Sequence, residues 1–192
     1  MRSKWFGILL ITLTFACAGN ALAVESMGPG RVDIPLIAGQ QYDAGWVVIH
    51  NTNGGLKIEI DMLNGWKMIE LHVHAGWAEN PVPMESGNPV PGKFDFEYEY
   101  EDPASSKKIF LDFEEDLNGF RWGAPYEPMR LRHIAIHAEV VTLDAEGTVT
   151  AKEGAWAKGG IPFEGGEWGW WLAYPMTHKK KTHFIDSPVQ GL

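Results

Sequence analysis

The clearest structural signal in the chain is the stretch Met68–Ala75, which reads MIELHVHA. One set of alternate positions is apolar: Ile69, Leu71, Val73 and Ala75. The other set begins with a methionine and is otherwise polar: Met68, Glu70, His72 and His74. Successive side chains of a β-strand point to opposite faces, so this period of two predicts a half-buried strand.

The same alternation recurs along the chain. Phe94–Glu101 and Arg132–Thr142 each alternate apolar with polar or charged residues. Trp46–His50 and Leu56–Met62 flank the turn-forming run Asn51–Gly55, which predicts a hairpin. No stretch carries a helical stripe of any length. We therefore predict an all-β fold, an antiparallel β-sandwich that forms a single domain.

Composition limits the function classes. The 192 residues are 45% hydrophobic and 12% aromatic, which is enough apolar surface for one globular core. The formal net charge is −9, so a nucleic acid or an anionic membrane surface is a poor partner for the whole molecule.

The first 23 residues have the pattern of a signal peptide. Arg2 and Lys4 precede the apolar run Trp5–Cys17, and Ala21-Leu22-Ala23 resembles a cleavage site. In the alternative reading, Cys17 is the lipidated first residue of a lipoprotein. We predict export to the periplasm, the outer cell surface or the medium. The predicted domain covers residues 24–176 and is followed by a flexible tail at 177–192, with no transmembrane segment in the mature chain.

Cleavage after Ala23 would remove Cys17, the single cysteine of the chain. The mature protein would then have no disulfide, no cysteine nucleophile and no thiolate metal ligand. Any transition-metal site in it would have to use imidazole, with carboxylate, thioether, water or a modified ring as the other donors.

Four of the seven histidines form two pairs in predicted strands, His72 with His74 and His133 with His137. Even spacing places both members of each pair on one face of their strand. Imidazole suits copper, zinc and nickel, and Cu(II) binds most tightly among these divalent ions. The alternative is that these histidines are merely polar residues on the wetter face of a sheet.

The mature chain also contains a series of short motifs in a defined order. They are Pro35–Gln40, Gly65-Trp66, Glu70-x-His72 with Gly76, Pro91–Phe94, Ile134–Ala138, Ala155–Gly159 and Phe163–Trp168 with Tyr174. This order resembles a family of secreted bacterial β domains whose wider neighbourhood includes MopE and CorA, copper-binding surface proteins of methane-oxidising bacteria (methanotrophs). In those proteins two histidines and a tryptophan oxidised to kynurenine hold copper.

The resemblance implies a copper site with His72 and His137 as ligands and Trp77 as the residue converted to kynurenine. His74 and His133 are second-choice ligands. The low coordination number implied for this site suits Cu(I), although Cu(II) stays open. A di-haem cytochrome c peroxidase-like protein is the implied partner for tryptophan oxidation. The predicted role is binding and not catalysis, so no catalytic residue is assigned.

Two alternatives remain open. Trp156, Trp168, Trp170 and Trp171 crowd a glycine-rich stretch, which is also typical of a carbohydrate or surface-adhesion module. Alternation sends Trp168 and Trp170 to one side and Trp171 to the other. The third reading is a cupin-like metalloenzyme, because His72-x-His74 followed by Glu79 resembles part of a cupin motif.

Overall fold

A computed structural model describes residues 30–77, 80–117 and 131–176. The strands are β1 (Arg31–Ala38), β2 (Tyr42–Asn51), β3 (Gly55–Met62), β4 (Trp66–Trp77), β5 (Met84–Glu85), β6 (Asn88–Pro89), β7 (Phe96–Ala104), β8 (Ser106–Asp112), β9 (Leu131–Leu143), β10 (Val149–Ala157), β11 (Ile161–Pro162) and β12 (Trp170–Pro175). One 3-10 turn, Pro91–Lys93, precedes β7. The described residues contain no α-helix, and thus no helix that would span a bilayer.

The long strands form one antiparallel sheet in the order β8-β3-β2-β1-β10-β9-β4-β7. Its two outer strands, β7 and β8, are consecutive in the chain, so the sheet curls into a nearly closed, barrel-like sandwich. Strand β9 is the junction of the sheet. One edge of β9 pairs with β4 along its length, while the other edge pairs first with β12 and then with β10. The predicted all-β antiparallel fold is confirmed.

The main core fills the inner face of this sheet. Its central side chains, all almost fully buried, are Ile34, Leu36, Val47, Ile49, Ile58, Ile60, Leu71, Val73, Ile134 and Ile136. The predicted hairpin is present as β2 and β3, and Thr52 closes its turn by donating its backbone N–H to Gly55 O at 2.8 Å. Burial of alternate apolar residues thus sets the inner face of each strand.

A smaller apolar cluster lies on the outer face of β9 and β10. Its buried members are Val82, Phe94, Ala135, Trp156 and Phe163, with Trp168, Trp170 and Trp171 packed against them. The segment that contains β5 and β6 covers this part of the sheet, and Gly165 donates its backbone N–H to Gly87 O at 2.9 Å. The outer face is therefore covered at the end of the sheet that carries the histidines.

One detail of the predicted alternation is wrong. The register of β4 shifts between Met68 and Glu70 against both of its neighbours, which is a β-bulge around Ile69. Because the bulge adds one residue, Met68 turns inward and is fully buried in the main core. The outer face of β4 therefore carries Glu70, His72 and His74 without the methionine.

Several predictions fall outside the described residues. They are the signal peptide at 1–23, the alternative lipidation of Cys17, Glu79 of the cupin-like motif, and the tail at 177–192.

Candidate metal site

His72 and His137 are direct cross-strand neighbours on β4 and β9. Both project from the outer face, and their ring centroids are 5.8 Å apart with the planes tilted by 30°. Both rings are largely buried, and neither Nδ1 atom has a hydrogen-bond partner. The structure therefore brings together the two histidines that the family resemblance implies as ligands.

Two carboxylates complete a cluster around His72. Glu70, two residues earlier on the same face, places Oε1 2.5 Å from His72 Nε2. Glu97 of β7 is the direct partner of His72 on the strand's other edge. One donor atom from each of Glu70, His72 and Glu97 lies within 4.8 Å of the other two, a spacing that one metal ion can bridge.

A row of acidic residues lies beside this cluster. Glu70 is flanked directly by Glu99 on β7 and by Glu139 on β9. Like charges directly opposite each other destabilise a sheet unless a cation lies between them. Lys152 supplies part of that compensation, because its Nζ lies 3.5 Å from Glu139 Oε2. The pattern indicates a face that attracts a cation.

His137 lies in a less polar environment than His72. Its ring lies 4.7 Å from that of Trp156, its cross-strand partner on β10, and its Nε2 is 3.8 Å from Glu139 Oε1. Burial, followed by the nearby His72, lowers the pKa of His137 from 6.5 to about 4. The imidazole is therefore neutral at physiological pH, which is the form that binds a metal.

Trp77 is not part of this cluster. It lies five positions after His72, about 16 Å farther along the strand, and on the opposite face. There it belongs to the main core, and the Arg132 guanidinium stacks over its ring at 3.2 Å from the centroid. The structure does not bring the predicted kynurenine position to His72 and His137. Trp156 is the tryptophan that contacts His137.

His74 binds protein groups through both ring nitrogens. Its Nδ1 lies 2.8 Å from Asp95 Oδ2, and its Nε2 lies 3.2 Å from Asn80 O. Burial raises the pKa of Asp95, but hydrogen bonds from His74 and from the Ala75 backbone N–H outweigh it and hold that pKa below its usual value. His74 thus ties the covering segment to the sheet.

His133 lies on the same face of β9 as His137, toward the start of the strand. Its ring centroid is 4.6 Å from that of Trp171. Because its β4 partner is Gly76, no ligand-bearing side chain is directly opposite on that strand. The structure separates this second-choice ligand from the Glu70, His72 and Glu97 cluster.

Sequence reasoning missed three residues of the site, namely Glu70, Glu97 and Trp156. Glu70 is two residues before His72, so the alternation already placed it on the same face. The acidic alternation around Glu97 reads equally well as a solvated sheet surface. Only the strand order shows that Glu97 and Trp156 flank the two histidines.

No known protein family, curated protein or solved structure matches the chain. The resemblance to the MopE and CorA neighbourhood therefore stays a prediction.

Proposed function

We propose that this protein is an exported copper-binding protein, with His72, Glu70 and Glu97 as the core of the site and His137 as its fourth ligand. The proposal rests on one observation. Two imidazoles, His72 and the neutral His137, lie next to two carboxylates, Glu70 and Glu97, on three adjacent strands. The signal-peptide pattern of residues 1–23 supports export.

The donor set favours the divalent ion. Cu(I) prefers soft thiolate and thioether ligands, whereas imidazole and carboxylate suit divalent ions such as Cu(II) and Zn(II). The sole methionine of β4, Met68, points into the core and offers no thioether here. The two glutamates thus favour Cu(II) over the Cu(I) that two histidines alone would suit.

Charge supports the same conclusion. Glu70, Glu97, Glu99 and Glu139 lie side by side on the outer face. A divalent cation at His72 would relieve their mutual repulsion and occupy the ring nitrogen that now faces Glu70. Copper is favoured over zinc because a given nitrogen and oxygen site binds Cu(II) more tightly.

The test is copper affinity of the full chain after treatment with a chelator, measured by competition with a coloured Cu²⁺ indicator. We expect His72→Ala to lower the affinity by more than about 100-fold, which exceeds the cost of losing an outer-shell partner. Glu97→Gln should lower it by roughly tenfold, since one neutral donor replaces a charged one.

His133→Ala is the matched control, because it removes a histidine from the same face while leaving the cluster intact. It should bind copper as the unaltered protein does. Equal affinity for His72→Ala and His133→Ala would place the copper elsewhere and overturn the proposal. Displacement of bound copper by an equimolar amount of zinc would overturn the identity of the metal.

A further inference from the structure

An open cleft of about 790 Å³ lies on the outer face next to His137. Three indole rings line it, those of Trp156, Trp168 and Trp170. The rings of Trp168 and Trp170 are 5.8 Å apart and inclined by 73°, so the two form a corner. Trp168 and Trp170 have no role in the proposed copper site.

Glycines make the cleft possible. A side chain at Gly169 would collide with the Trp156 ring, whose nearest atoms would be 2.9 Å from its Cβ. Gly169 also has a φ of +150°, a backbone conformation that other residues rarely adopt. Gly154 lies beside His137, with only 3.3 Å between the place of its missing Cβ and His137 Nε2. The bare glycine thus leaves the His137 ring open to the cleft.

Among the residues that the structure describes, the lining is aromatic and polar and includes no lysine or arginine, although Lys158 Nζ lies 5.5 Å from the centroid of the Trp170 ring. Its charged side chain is Glu167, joined by Gln40 and the neutral His137. The charged lining residue, Glu167, is a carboxylate and repels a phosphorylated or carboxylated ligand. An entirely apolar ligand would remain half in water, because the cleft is open and not enclosed.

We infer that this cleft binds a neutral glycan, independently of copper. A hexose ring has an apolar C–H face that stacks on an indole and hydroxyl groups at its edge that bond to polar groups or water. The Trp168 and Trp170 corner provides two such stacking surfaces. Glu167, Gln40 and the exposed glycine backbone provide the polar partners.

The probes are cellohexaose and maltohexaose, titrated up to about 1 mM into the chelator-treated full chain and followed by calorimetry and indole fluorescence. We expect saturable binding of at least one of them. Trp170→Ala and Trp168→Ala should each weaken it by roughly tenfold or more, as is typical of a buried aromatic contact.

Trp46→Ala is the matched control. Trp46 lies on β2, is 48% exposed, and does not line the cleft. A second variant, Gly166→Trp, fills the cleft without removing any ring from the outer cluster, since its Cβ would have no atom within 4 Å. This variant should abolish binding while keeping the protein folded.

Absence of binding by both sugars would overturn the inference, as would equal losses in Trp46→Ala and Trp170→Ala. Copper affinity of Trp170→Ala should match that of the unaltered protein. Loss of sugar binding therefore separates cleanly from loss of copper binding, and either proposal can fail alone.

Discussion

Replacing His137 by glutamine should reduce the pH dependence of stability. In the folded protein burial and His72 lower the pKa of His137 to about 4, against 6.5 in a solvated chain. The unfolded chain thus takes up a proton at a pH where the folded protein does not. The contribution of neutral His137 to the free energy of unfolding is fully present above pH 6.5 and is lost as the pH falls toward 4.

The magnitude follows from these two pKa values. Because of His137, the free energy of unfolding should fall by about 1.4 kcal/mol at pH 5.5 and by about 2.6 kcal/mol at pH 4.5, relative to pH 8. Because the side chain is only 12% exposed, solvent screening reduces these values little.

The assay is urea denaturation of chelator-treated protein at pH 8, 5.5 and 4.5. Relative to pH 8, the unaltered protein should lose about 1.4 kcal/mol more unfolding free energy than His137→Gln at pH 5.5, and about 2.6 kcal/mol more at pH 4.5. Parallel pH profiles for the unaltered protein and His137→Gln would refute the reasoning, because His137 would then titrate equally in both states.

Four further substitutions test the packing by denaturation midpoints. Gly169→Ala should destabilise by about 1–3 kcal/mol through its clash with Trp156, whereas Gly166→Ala, with open space around its Cβ, should change stability by less than about 0.5 kcal/mol. Tyr174→Phe should cost about 1–2 kcal/mol, because the hydroxyl donates to the Gly30 carbonyl and accepts from a backbone N–H. Arg132→Met should lower the free energy of unfolding by about 2–4 kcal/mol, since it removes the guanidinium donors of two buried carbonyl groups, Ala75 O and Leu117 O.

Local sequence predicted the fold class because alternation is a local property. The inner face of β9 was read directly from Ile134, Ile136, Ala138 and Val140, all of which are buried in the core. The bulge around Ile69 was not predicted, because an extra residue in one strand is visible only against its partners. It moved Met68 to the inner face, whereas Leu71, Val73 and Ala75 lie in the core as the alternation predicts.

The site was only half predictable. Residue type and spacing identified four strand histidines, and only the family resemblance singled out His72 and His137. These two residues are 65 positions apart, and no local pattern says which strands are neighbours. For the same reason the partners Glu97 and Trp156 were missed. Trp77 lies on the opposite face of β4, as its odd separation from His72 in the sequence indicates.

The most direct test of the central claim is an anomalous difference map at the copper absorption edge, from crystals of the full chain soaked in Cu²⁺. We expect a peak about 2 Å from His72 Nε2, with a carboxylate oxygen of Glu70 or Glu97 at a similar distance. A crystal that binds copper only elsewhere, with no peak between β4, β7 and β9, would contradict it.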